Sequence, residues 1–156
     1  MEDKSIIKKT ADTITKSTNQ EWKGSFTYLE GYETIQQYID VEFTLEIDIT
    51  NNSFIGISSD SESKDLFDKP ATVKGFIDEN KISFVMNYPC LYYKDETGTM
   101  RLDQSSEHPD IHYLGFFNDD KTQVNGNWEM TLREEKYMDG YLENIANGEF
   151  EMRRIN

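Results

Sequence analysis

The chain has 156 residues, enough for one domain with a buried core; 36% of them are hydrophobic and 13% aromatic. Sixteen Lys and Arg against 30 Asp and Glu leave a formal net charge of −14, which repels phosphate backbones and anionic headgroups and so disfavours nucleic-acid and membrane partners. A single cysteine, Cys90, excludes an intramolecular disulfide, and without an apolar leader or a membrane-length apolar run the expected compartment is the cytoplasm.

Residues 1–20 are expected to form a short helix or a tail, because Ile7, Ala11 and Ile14 fall at helical spacing in a threonine-rich stretch. From Trp22 the period changes to two, with Trp22, Gly24, Phe26 and Tyr28 on one face. Val41, Phe43, Leu45, Ile47 and Ile49 then alternate strictly with Glu42, Thr44, Glu46, Asp48 and Thr50, which a strand aligns and a helix would scatter. Asn51-Asn52 predicts a tight turn. Further strands are expected over 54–59, 71–78 and 82–88, the last through Ile82, Phe84, Met86 and Tyr88. The stretch 89–110 reads as a long irregular loop, of the kind that serves as a lid or binding loop. Strands over 111–118 and 122–133 follow, the second carrying Val124, Gly126, Trp128, Met130 and Leu132 on one face. Residues 134–147 suggest a helical turn around Tyr137 to Ile145, and Asn147-Gly148 a hairpin turn into a last strand over 149–154.

About eight short strands, each with one apolar face, describe an all-β antiparallel meander over residues 21–156. A flat sheet of that size leaves an apolar face and two open edges. Closure into a barrel removes both, and glycines 24, 56, 75, 115 and 126 recur mid-strand where a closing sheet bends. A single meander barrel is therefore favoured over a sandwich.

Trp22-Lys23-Gly24, Phe54-Ile55-Gly56, Val73-Lys74-Gly75-Phe76-Ile77, Ile82-Ser83-Phe84 and Val124-Asn125-Gly126-Asn127-Trp128 resemble the short glycine-centred strand units of calycin barrels, the lipocalin and avidin types. The resemblance spans most of residues 22–154 and implies an eight-stranded barrel. The polar set by which avidins hold biotin has no counterpart here, and the carboxy-terminal lipocalin arginine has only Arg153 or Arg154 as an equivalent. The resemblance implies a fold rather than a ligand.

No motif for catalysis or for a cofactor is present: serine-hydrolase elbows, phosphate-cradling loops and dinucleotide fingerprints are all missing. His108, Asp110 and His112 are the closest approach to a metal set, but Pro109 separates them and no cysteine or third histidine completes a shell. Cys90 has no local base to make it a nucleophile. Asp60, Glu62, Asp65 and Asp68 lack the glycine and terminal glutamate of a calcium loop. What remains is the lumen. Its expected lining is Trp22, Phe26, Tyr28, Phe43, Leu45, Phe84, Met86, Tyr113, Trp128, Met130 and Phe150, with Tyr92, Tyr93 and Met100 on the loop above it. Two functions follow as expectations. One is a non-enzymatic lipocalin-like barrel that binds a small apolar ligand in its lumen. The other is an acidic inhibitor or immunity-type module that binds a basic protein.

Overall fold

A computed structural model of the chain describes residues 17–29, 40–137 and 140–156, and among these there is no helix. The expected helix or tail at 1–20 lies almost wholly outside the described residues. The strands are β1 (Thr18–Phe26), β2 (Val41–Thr50), β3 (Ser53–Asp60), β4 (Ala71–Asp78), β5 (Lys81–Asn87), β6 (Leu91–Lys94), β7 (Met100–Asp103), β8 (Ile111–Phe117), β9 (Gln123–Tyr137) and β10 (Gly140–Arg154). Eight of them close in the order β1-β10-β9-β8-β5-β4-β3-β2, every pair antiparallel, while β6 and β7 form a separate two-stranded sheet. The architecture is thus a closed eight-stranded antiparallel meander barrel.

Closure is made by β1, which pairs with β2 on one side and β10 on the other, setting Trp22 opposite both Leu45 and Arg154. Strict alternation in β2 becomes a strict in–out burial pattern: Val41, Phe43, Leu45 and Ile47 are buried and Glu42, Thr44, Glu46 and Asp48 exposed. The interior is filled. Phe84 and Tyr113 stack with centroids 4.6 Å apart, and Phe150 packs edge-on to Tyr113 at 5.0 Å. Phe43 reaches Tyr113 at 6.5 Å from a strand four places away around the ring of eight, so side chains from opposite walls meet. Full burial of side chains of this size contributes roughly 1.5–3 kcal/mol each before entropy is counted.

The two ends differ. At one, short turns join β2 to β3, β4 to β5 and β8 to β9. Asn51 and Asn52 take positive φ of 52° and 68°, as a tight hairpin turn requires, and Lys121 does so at 58°. Neighbouring turns are tied together, with Ile77 N–H donating to Asn52 C=O and Phe117 N–H to Asn80 C=O, both at 2.7 Å. The long connections among the described residues, 61–70 and 88–110, lie at the other end.

Three expectations need correction. The stretch 89–110 is not irregular throughout, because Leu91–Lys94 and Met100–Asp103 pair as a hairpin. No helical turn is found among the described residues of 137–145; β9 runs on to Tyr137 and β10 starts at Gly140, and the two pair from there with one register shift between Asn144 and Ile145. Asn147-Gly148 is not a turn either. Both residues lie within β10, opposite Glu129 and Trp128, and Gly148 is there because a Cβ would strike the Thr27 carbonyl oxygen and the Trp128 indole.

Candidate functional site

Long loops gather at one end, so the residues that project into it define the candidate site. Period two delivers them. The inward positions of β3 continue from Phe54 and Ser58 to Asp60, and those of β5 from Phe84 and Met86 to Tyr88, just past the strand end. The same parity carries β1 past Phe26 to Tyr28. A carboxylate and two phenols thus arrive at the rim of an otherwise apolar interior.

Asp60 is 4% exposed and fully engaged. Its Oδ1 accepts from Glu62 N–H at 3.0 Å and Ser63 N–H at 2.7 Å, the Ser63 hydroxyl lies 2.9 Å from each carboxylate oxygen, and the Tyr88 phenol donates to Oδ2. Such bonds offset the cost of burying a carboxylate and fold the 61–70 loop across the barrel end. Burial above all, then the neighbouring Tyr92 and Asp60, pushes the Tyr88 phenol well above the usual tyrosine range, so it stays a proton donor to the carboxylate. Next to it, Tyr28 donates to Glu62 Oε1 at 2.7 Å.

Around this polar knot runs an aromatic cap. Phe67 stacks on Tyr88 at 5.8 Å, Tyr92 of β6 meets Tyr88 at 5.1 Å, and the His108 ring lies 5.1 Å from Tyr92 and 4.9 Å from Tyr88. His108 Nδ1 donates to the Pro109 carbonyl at 2.8 Å, which leaves Nε2 as the acceptor of a neutral ring. Desolvation lowers its pKa from 6.5, and the pull of Asp60 and Asp110 only partly opposes this. Below the cap, Trp128 packs at right angles to Tyr28 at 5.8 Å and donates its indole N–H to Thr27 C=O at 2.9 Å. A small space of about 150 Å³ lies at the β3–β4 rim, bounded by Ser58, Ser63, Phe67, Ala71 and Tyr88 among others.

Asp60 spends its acceptor capacity on the backbone N–H groups of Glu62 and Ser63, the Ser63 hydroxyl and the Tyr88 phenol. No buried side-chain polar atom among the described residues lacks a partner, and the His108 ring, with Nε2 as its acceptor, lies beside Tyr88 and Tyr92.

The twelve sequence-predicted lumen and lid residues belong to one packed cluster and are spread along the barrel. Trp22 belongs to the turn end, 6.0 Å from Phe117, with Leu45 as its register neighbour. Phe43, Phe84, Tyr113 and Phe150 fill the middle. Phe26, Tyr28, Tyr92 and Trp128 come together at the loop end, where Met86 and Met130 are also buried toward the lumen. Tyr93 is 47% exposed on the hairpin and faces away from the cap. The three metal candidates are dispersed: His108 is under the cap, His112 is exposed on β8, and Asp110 accepts from Asn87 Nδ2 at 2.7 Å. No group of three potential ligands is found among the described residues. Asp60, Ser63, Phe67 and Tyr88 are absent from the predicted lining. The signal for Asp60 was available, since an acid on the inward parity of a strand must find donors or be expelled.

No protein-family model matches the chain, and no curated protein matches it either.

Proposed function

We propose that this protein is a non-catalytic binding barrel that takes a small, mostly apolar ligand at its loop-bearing end, under the β6–β7 hairpin. One observation carries the reading. The hairpin belongs to a sheet of its own, so it can lift without breaking a barrel ladder, and its Tyr92 rests on the rings of Phe67, Tyr88 and His108. Because rings fill the mid-barrel, the ligand would sit above them, between Tyr92 of the hairpin and the rings of Tyr28 and Trp128. A ligand with one hydrogen-bond donor suits the His108 Nε2. The lipocalin or avidin-type relationship suggested by Trp22-Lys23-Gly24, and residence in the cytoplasm, belong to the same proposal.

Native mass spectrometry of the full chain, followed by titration with the uncharged fluorophore N-phenyl-1-naphthylamine, tests it. The expected result is probe binding in the micromolar range, weakened about tenfold in Tyr92→Ala as one aromatic contact is lost and unchanged in Tyr93→Ala. No co-purified species together with no probe binding, or equal loss in both variants, overturns the reading.

A second reading, an acidic module for a basic protein, has its own support. Glu21 lies directly opposite Glu46 on adjacent strands, on the outer flank that also bears Glu42. Like charges in that position oppose folding, and a cationic partner would relieve them. Association with such a partner is expected to weaken steeply between low and physiological salt. Binding that ignores ionic strength counts against it.

A further inference from the structure

One flank of the outer wall departs from the polar-out rule. On β3, β4 and β8, Ile55 is 63% exposed, Phe76 49% and Leu114 46%. An open groove of about 520 Å³ runs here, and its lining includes Asp48, Ile55, Lys74, Phe76 and Val85. A contiguous exposed apolar patch rimmed by polar groups marks an interaction surface.

Charge decides the occupant. Ile55 is the register neighbour of Asp48 on one side and of Lys74 on the other. Two inter-strand steps place the backbones of Asp48 and Lys74 roughly 10 Å apart with the isoleucine between, and no ion pair joins the two among the described residues. Among the described residues Lys74 has no ion-pair partner, and the side-chain partner of Asp48 is the Asn19 amide at 2.9 Å. A two-fold axis lying along β3 at Ile55 exchanges the places of β2 and β4. Asp48 of each copy then faces Lys74 of the other, twice over, and Ile55 meets Ile55 at the centre. A patch that complements itself in this way is what an isologous contact requires. The rest of the surface discourages self-association, since a chain of net charge −14 repels its copy wherever the acidic flanks meet.

We propose that a second copy of this chain docks on the Ile55–Phe76 groove, forming a two-fold homodimer fixed by reciprocal Asp48–Lys74 pairs. Only a few strands of a curved wall engage, so the contact is smaller than the usual interface of about 1,600 Å² and the association is weak.

Sedimentation equilibrium of the full chain over roughly 5–500 µM, the range suited to a weak contact, tests this. The expected result is a monomer–dimer equilibrium within that range. Asp48→Lys and Lys74→Glu each bring like charges face to face and weaken the dimer by about tenfold or more. The double variant restores opposite charges, and its association is expected to return to within about threefold of the starting protein. Ile55→Glu abolishes dimerisation while the circular-dichroism spectrum stays unchanged. A monomer at every concentration, or a double variant no better than the single ones, overturns the proposal.

Discussion

At the scale of single residues, His108 gives the barrel a pH response of definite sign. Burial lowers its folded pKa from 6.5, so in the window between 6.5 and the folded value the unfolded chain binds a proton that the folded chain refuses. The stability associated with the neutral ring is fully present above that window and is lost as pH falls through it. Denaturant midpoints are expected to drop between about pH 7 and 5 more steeply in the starting protein than in His108→Phe, which keeps the ring against Tyr92 without the titration. Equal slopes would show that the imidazole is not desolvated. Asp60 belongs to the same scale. Its inward parity on β3 was legible, but its donors Ser63 and Tyr88 were not, because only folding assembles them.

At the scale of elements, two glycines separate a register requirement from a turn requirement. Gly148 sits in the middle of β10, where Trp128 and the Thr27 backbone already occupy the space of a side chain. Gly98, at the tip of the β6–β7 hairpin, has a φ of +84° and nothing near its Cβ position. Gly148→Ala is expected to cost about 2–3 kcal/mol, since the neighbours are backbone and a packed indole that must move. Gly98→Ala is expected to cost about 1 kcal/mol or less, for backbone strain alone. Comparable losses in thermal denaturation would contradict the close approach at β10. Asn147-Gly148 misleads for the same reason. The dipeptide has the chemistry of a tight turn, while the close packing that actually selects the glycine comes from 20 residues earlier, at Trp128.

Strict alternation made β2 and β5 legible from their own residues, because each has one face against the core and one toward water. The β6–β7 hairpin was illegible for the opposite reason: strands of four residues that pair only with each other carry no sustained period. The far part of β9 and the near part of β10 are similar. Beyond Glu129, β9 pairs with β10 alone among the described residues, so no second neighbour imposes alternation on Glu134-Glu135-Lys136.

At the scale of the whole molecule, the number of strands and their closure followed from arithmetic: eight apolar faces and too few covering layers. The candidate site followed less well. Eleven inward aromatic and aliphatic residues were expected to line one lumen and all are buried, yet inward means three different things along a barrel. It means a plug at the turn end, a filled waist, and a cap at the loop end, and a period of two cannot tell these apart.

The seam between β1 and β10 also sets the order of events in folding. Trp22 finds its place beside Arg154, and Phe26 beside Phe150, across more than a hundred intervening residues. The other seven ladders join strands whose separation along the chain is far shorter. As the polypeptide emerges from the ribosome, β1 can zip to β2 and wait, but its second margin remains bare until Phe150–Arg154 of β10 have been made. Until then the sheet stays open along β1, and that unpaired margin is where premature strand capture by a neighbouring chain would begin.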